Sequence, residues 1–410
     1  MKKAGDSLMG FSLPTVLVIS VLMALILLSA LTFVNLDRIN YALYHRQKQW
    51  TLDLHSAAAR YLVDSTLAGP GDSVSVALFD EEETGVTISV SRWGLYEVAA
   101  FRSEHLPFPF IQVVGKASPS DYESALYVTD RNRPLSLAGS THVQGVVYAP
   151  QSGINYTELM GNPFSGPSVP VEKWRVSTMQ LPTVDSTVFA YLDSLSSLRP
   201  KAWYHLNVPK ARTSFLSPTN LSYIRNDDEI LEMRGNRILY ADRIKIRRES
   251  RLDEILILAR TATIEDGFEG SLQLFCSDSI VVGEGARLQY PSGLYVSNEE
   301  RHPCITIRDG SRVCGYVIAM TGGREDMMLE DPCLRMEGSA RIEGLLYVDG
   351  SACVAGEVRG STYLRDCFFE ISGEKYPGVL NDCIFERPDK ATYPIFLEGP
   401  YRRRVVKKVH

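Results

Sequence analysis

Residues 11 to 34 run FSLPTVLVISVLMALILLSALTFV without one charged side chain. A helix crosses a hydrocarbon core with about 20 such residues at ~1.5 Å rise each, so this run predicts a membrane span. It exceeds the roughly 7–15 apolar residues of a cleavable secretory signal, and no small-x-small cleavage site follows it. Beyond it Leu36, Ile39, Leu43, Trp50, Leu54, Ala57 and Leu62 recur mostly at three- and four-residue steps, with Arg38, Arg46, Lys48 and Asp53 between them. That spacing predicts one continuous helix of about 50 residues, lipid-facing over 11–34 and amphipathic over 35–65.

In front stands a hydrophilic leader, residues 1–10, carrying Lys2 and Lys3 and ending in Gly10 before Phe11-Ser12-Leu13-Pro14. On these residues the chain resembles the type IV prepilin and pseudopilin family over its first 62 or so positions. The resemblance implies cleavage between Gly10 and Phe11 by a prepilin peptidase, methylation of the new amino terminus, and assembly with pilin-like or secretion-type subunits. It also implies a bacterial inner-membrane location with the bulk of the chain outside the cytoplasm, possibilities that charge alone does not separate, since Lys2 and Lys3 compete with Arg38, Arg46 and Lys48. One position departs from the family: the fifth residue of the mature helix is usually Glu, and here it is Thr15. An uncleaved signal anchor is the alternative reading of the same stretch.

The helix is expected to end near Gly69-Pro70-Gly71, and 72–125 reads as a small β-rich head. Val86 to Val90 alternates apolar and polar, with further strand candidates at Ser73 to Phe79, Gly94 to Phe101 and Phe110 to Val114, a meander to be packed on the amphipathic helix. A helix-plus-sheet unit of this kind also resembles a pilin head.

From Ala125 the texture changes. Gly139-Ser140-Thr141-His142-Val143-Gln144-Gly145 is echoed by Gly338-Ser339-Ala340-Arg341-Ile342-Glu343-Gly344, by Gly350 to Gly356, and in shortened form by Gly310 to Gly315. Tyr240, Leu258 and Cys276 fall 18 residues apart, as do Leu239, Ile257 and Phe275. Internal repetition predicts a stacked architecture, and we assign 126–150 and 227–385 to a β-solenoid whose successive coils bury one another's apolar side chains. The texture is similar to bactofilin-like polymers and to parallel β-helix enzymes. Residues 151–226, rich in Pro and Ser, read as an insertion forming loops on one face with one short helix near Asp185 to Leu195. Residues 386–410 read as a basic tail with Arg402, Arg403, Arg404, Lys407 and Lys408: a solvated terminus, a contact for acidic partners or lipid head groups, or a cap on the last coil.

The fold class expected is therefore mainly β, with an N-terminal transmembrane and amphipathic helix, a small α+β head and a β-solenoid. A net charge of -6 gives no argument for nucleic acid. Seven cysteines contain no C-x-x-C pair, which argues against a zinc knuckle; most are expected to be buried, Cys276 in the inner stack and Cys353 towards water, with one or two disulfides open in an exported domain. Seven scattered histidines show no metal spacing, no nucleophile or phosphate-loop motif is present, and Gly283-Glu284-Gly285 reads as a corner. No catalytic residue, cofactor or metal ligand is assigned. The function expected is a membrane-anchored structural or assembly protein. The alternative is a tethered β-helix enzyme on a polysaccharide, for which Asp227, Asp228, Glu229, Glu265, Asp266 and Asp278 would have to gather on one face.

Overall fold

A computed structural model describes residues 12–78, 85–117, 124–197, 210–224, 232–298, 302–322, 332–388, 391–399 and 402–409. The protein is mainly β, preceded by one long helix, α1 (Ser12–Val63). At ~1.5 Å per residue α1 is about 78 Å long. Its residues 13–49 are exposed, whereas Leu54, Ala57, Ala58 and Tyr61 are buried.

Those four residues pack on an antiparallel sheet of β1 (Ser73–Ala77), β2 (Gly85–Trp93), β3 (Tyr96–Ser103) and β4 (Phe110–Ala117), paired in that order. Alternation along each strand sends Val76, Val86, Ile88, Val90, Phe101 and Val114 to the helix side. The other side, with Trp93, Tyr96, Val98, Ile111 and Val113, is buried as well, against the second part of the protein. The sheet does not end at β4. Thr392–Tyr393 and Arg403–Val409 both pair antiparallel with it, so the residues expected to form a loose basic tail are sheet strands.

The second part is a body of parallel strands whose hydrogen-bonded network closes on itself as a barrel, where the sequence led us to expect a solenoid. Its registers explain the repetition. Leu239, Ile257, Leu274, Leu294, Val317 and Leu346 stand side by side on successive strands, joined through Thr362 to Leu126 and Val147. These aliphatics are fully buried. One residue further on, facing the opposite way, Tyr240, Leu258, Phe275, Tyr295, Ile318, Tyr347, Tyr363 and Tyr127 form a second row. This outer row is covered by the head sheet and by α2 (Ser186–Ser197) with the residues around it. Tyrosines fit such a row because the ring stays dry while the hydroxyl finds a backbone partner: Tyr127 donates to Gln180 O at 3.0 Å, Tyr347 to Pro182 O at 3.2 Å and Tyr240 to Leu195 O at 2.5 Å.

The chain winds through this body out of order. Ser124–Val128 lies beside Gly356–Ile371, so residues 124–149 continue the body at its C-terminal end. The supposed loop insertion carries Trp174–Val176 on that same end, then α2, then Lys210–Thr213 and Asn220–Tyr223 on the opposite end. The Pro- and Ser-rich stretch is thus a strap across the body with strands at both of its ends.

The Gly-Ser repeats mark corners. Ser339 donates both its backbone N–H (2.9 Å) and its hydroxyl (2.7 Å) to Asp309, and Ser140 does the same to Asp382 at 2.8 and 2.9 Å. These bonds hold both carboxyls below their ordinary pKa, the backbone donor contributing most. Gly315, Gly344 and Gly360 line up in register with φ of +138°, +129° and +157°. A Cβ on Gly344 would stand 2.0 Å from Gly315 O. Gly350–Gly356 is not a copy of this corner, because Ser351 pairs with Asp366 on a different row. The 18-residue spacing holds from Tyr240 to Leu258 but drops to 17 at Phe275, since Glu254 is inserted as a bulge with φ +60°. Cys276 consequently stands opposite Ala259, still in the inner core, while Cys353 is half-buried opposite Arg335. The described cysteines are all free thiols.

Gly344→Ala should therefore cost about 3 kcal/mol, by steric conflict at a left-handed position. Gly338→Ala, with nothing within 4 Å of its added Cβ, should stay within about 0.5 kcal/mol of the parent. Chemical denaturation followed by circular dichroism distinguishes them, and equal midpoints would refute the corner argument.

Candidate functional site

The sequence places function at the helix, and the structure shows what holds that helix. α1 is the one described helix long and apolar enough to cross a membrane, with a mean hydropathy of 2.8 over its most apolar window and none of that window buried. Thr15 lies on its exposed first turns. Gly10 and Phe11 lie outside the described residues.

At the other end of α1 a buried cluster closes the helix. Arg403, from the supposed tail, is 5% exposed. Its guanidinium pairs with Glu97 on β3 at 3.2 Å and donates to Tyr61 O, Asp64 O and Ala68 O at 3.3, 2.9 and 2.6 Å. Carbonyls at a helix C-terminus lack intrahelical donors and carry the negative end of the helix dipole, so a cation there satisfies both needs. Tyr61 donates to Glu97 at 2.8 Å and lies under the guanidinium at 4.1 Å from its ring centroid. Three segments, the end of α1, β3 and the C-terminal strand, meet in one dry node.

A second set of contacts fixes the head to the body. Gln273 accepts from the Leu95 N–H (3.0 Å) and the Tyr316 hydroxyl (2.8 Å), and donates to Trp93 O at 3.0 Å. Gly94 between them has φ +61°, and a Cβ there would stand 1.9 Å from Gln273 Oε1. Its N–H donates to the Tyr191 hydroxyl of α2 at 3.0 Å. Lys407 reaches from the C-terminal strand to Asp253 at 2.8 Å and to the bulged Glu254 at 2.9 Å, whose side chain is 1% exposed. Burial alone would push the Asp253 carboxyl up. Hydrogen bonds from Lys407 and Ser271, with the Lys407 and Arg234 charges, outweigh it and hold Asp253 below its ordinary 3.8.

The acids considered for glycan chemistry do not form a pair. Asp227, Asp228 and Glu229 lie outside the described residues. Glu265 is bound by Lys245 at 2.7 Å, which lowers its pKa, the reverse of what a general acid needs. Asp266 accepts from the Glu284 N–H at 2.8 Å in a turn, and Asp278 is held by Arg260 at 2.9 Å at a different corner. A cavity of about 420 Å³ is lined by both Glu265 and Asp266, together with Lys245, Arg248, Glu249 and Arg308. Burial pushes the Cys276 and Cys333 thiols up to about 12, and no group of three or more potential metal ligands occurs among the described residues. Sequence reasoning named Arg403 and Lys407 only as members of a basic tail and missed Glu97 and Gln273. Their only local signal is the row of basic residues at the end, which reads as solvent-facing.

No known family model, curated protein or solved structure matches this chain.

Arg403→Ala should leave Glu97 buried without its cation and cost about 3–5 kcal/mol, which is roughly 10²–10⁴-fold faster hydrogen exchange in β3 and β4. Unchanged exchange there would remove the node from the argument. The Lys407 seam depends on pH in one direction at the acid end. Because the Asp253 pKa is depressed, its contribution is complete above pH 3.8 and is lost as the pH falls through the lowered value. The protection of Arg403–Val409, taken relative to the intrinsic exchange rate at each pH, should therefore fall below about pH 4 in the parent and fall less in Asp253→Asn.

Proposed function

We propose that this chain is a non-enzymatic, membrane-anchored structural or assembly protein of pilin-like or pseudopilin-like build. In this reading α1 anchors the chain in the inner membrane of a bacterium, the head sheet forms a pilin-like unit on the lower half of α1, and the parallel body is a β-solenoid presented outside the cytoplasm as a scaffold or interaction surface. The observation that carries it is the burial of Tyr96–Ser103 and Phe110–Ala117 of the head sheet on both faces, by α1 on one and by the body on the other. A rigid stem of that kind suits a protein whose task is to hold a surface at a fixed place.

The solenoid reading rests on the registers. Parallel strands offset by 17 to 19 residues between Asn220 and Val282, and by 15 to 29 further on, stack like on like, with glycine at the corner and an aliphatic column inside. A closed hydrogen-bond path follows when the chain's early strands join its late ones, as Ser124–Val128 joins Gly356–Ile371. Thr15 supports a minor subunit more than a main filament subunit, because it offers no carboxylate to a neighbour's amino terminus. Partners would be the prepilin peptidase, pilin-like subunits and membrane lipid around residues 11–34. Against the alternative of a polysaccharide enzyme, Glu265 and Asp278 are each bound by a cation and Asp266 by a turn.

Mass spectrometry of the mature amino terminus, taken from native membranes, tests the proposal. We expect a chain beginning at N-methylated Phe11. An intact Met1 leader would leave a signal anchor in its place.

A further inference from the structure

The head sheet has two edges, and they are finished differently. One is Arg403–Val409, which carries Arg403, Arg404, Lys407 and Lys408 and a bulge between Val405 and Lys407. Charged side chains and bulges are what natural sheets use to keep a further strand from adding. The body's short outer strand Trp174–Val176 is guarded too, since Arg175 turns its guanidinium onto Trp174 O at 3.0 Å.

β1 is the other edge of the head sheet, and it has no such guard. Its residues are Ser73-Val74-Ser75-Val76-Ala77, without a charge or a proline, and its register with β2 runs unbroken. The ladder is set by Val90, whose N–H donates to Asp72 O at 3.1 Å. Val74 and Val76 therefore turn their N–H and C=O groups to β2, while Ser73, Ser75 and Ala77 turn theirs outward. Among the described residues nothing bonds to those three donors and three acceptors. The strand is open on one face as well: Val74 and Val76 pack on the α1 side, and Ser73, Ser75 and Ala77 on the other side are exposed. An unpaired edge of small and β-branched residues is the geometry on which an extended chain adds as a further strand.

Charge decides what can add. Between Arg60 and Arg92 the chain has no lysine or arginine, and it has six acids: Asp64, Asp72, Asp80, Glu81, Glu82 and Glu83. Asp64 and Asp72 precede the edge, and the other four follow it in the connection to β2, whose course lies outside the described residues. Two copies paired edge to edge, β1 antiparallel on β1, would bring the acids after one strand towards Asp72 of the other, and like charges brought together oppose that pairing. Arg102, on the row of Ser75 and Thr87, stands two strands in from the edge.

We propose that β1 is a strand-addition site whose occupant is an extended basic segment of a partner protein, bound antiparallel with lysine or arginine at both ends of a short uncharged core. This holds whether or not α1 crosses a membrane.

The test uses the full chain in detergent micelles, the synthetic peptide Lys-Lys-Val-Thr-Val-Thr-Val-Lys-Lys as probe, and amide hydrogen exchange read residue by residue. With the peptide at about ten times the midpoint of its titration, exchange at Ser73, Ser75 and Ala77 should slow about tenfold, while Val74 and Val76, already bonded to β2, change little. The same peptide with glutamate for lysine should give no protection. Ser75→Pro removes an outward N–H and no bond to β2, so it should abolish the effect of the basic peptide while exchange at Val74 and Val76 stays as in the parent. No slowing with the basic peptide overturns the proposal, and so does equal slowing with the acidic one. Outward amides that are already as slow as Val74 and Val76 without peptide overturn it as well, assigning the edge to a second copy if the protection rises with protein concentration and to the chain itself if it does not.

Discussion

Burying a carboxylate and a guanidinium together is tolerable only when every hydrogen-bonding position of both is used. Glu97 and Arg403 approach that condition because the end of α1 and the turn after it supply further partners: the hydroxyl and carbonyl of Tyr61 and the carbonyls of Asp64 and Ala68. Remove any one segment and a charge is stranded in a dry place. The pair therefore acts as a condition on the whole chain. The helix near the beginning cannot be finished until the strand at the very end is in its place, more than three hundred residues later in sequence, with the entire parallel body formed between them.

That dependence explains why the head is not a separable ornament on the helix. Chain segments pass between head and body after β4, before Thr392–Tyr393 and before the C-terminal strand, and the two units share the dry surface between the head sheet and the outer row of tyrosines. The body's strands are apolar on both sides as a consequence. Arg312–Met320 is buried at every position but its first, whereas Val86–Val90 of the head retains the alternation of a strand with one wetter side.

What could be read in the sequence follows from how local each signal is. Alternation in β2, the uncharged run at the start, the helix near residue 185 and the Gly-Ser corners at Ser140 and Ser339 all act within a few residues and are found where their patterns lie, whereas Gly350–Gly356 has the pattern without the corner. The corners are legible because one serine must supply two donors to one aspartate and one glycine must pass close to a backbone oxygen. Position along a repeat is less local. The bulge at Glu254 moves the partners of Ile255 to Ala259 by one place, so Phe275, not Cys276, aligns with Leu258, and a second irregularity after Ala259 restores the offset. Nothing near Glu254 in sequence announces a bulge, and the Lys407 that pairs with it arrives from far along the chain. The basic ending failed for the same reason: three consecutive arginines read as solvated until Glu97 is brought against the middle one. The strap likewise hides its strands, because Trp174–Val176 and Asn220–Tyr223 have no hydrophobic alternation long enough to register and are strands only by pairing at the ends of an existing stack.

The same logic bears on what an anchored protein of this shape can transmit. A head joined to its helix by side chains alone would let the helix swing, since exposed contacts open at little cost. Here the joint is made of buried charge, the helix's own terminal carbonyls and a sheet covered on both faces. Small rotations about such a joint expose an unpaired ion or a bare apolar face, so they are resisted from the first degrees of motion. In the proposed reading, a displacement of the anchor in the plane of the membrane is carried to the far end of the body as a rigid movement, and the place for compliance is the bare stretch of α1 between Val34 and Trp50, where no tertiary contact stiffens the helix.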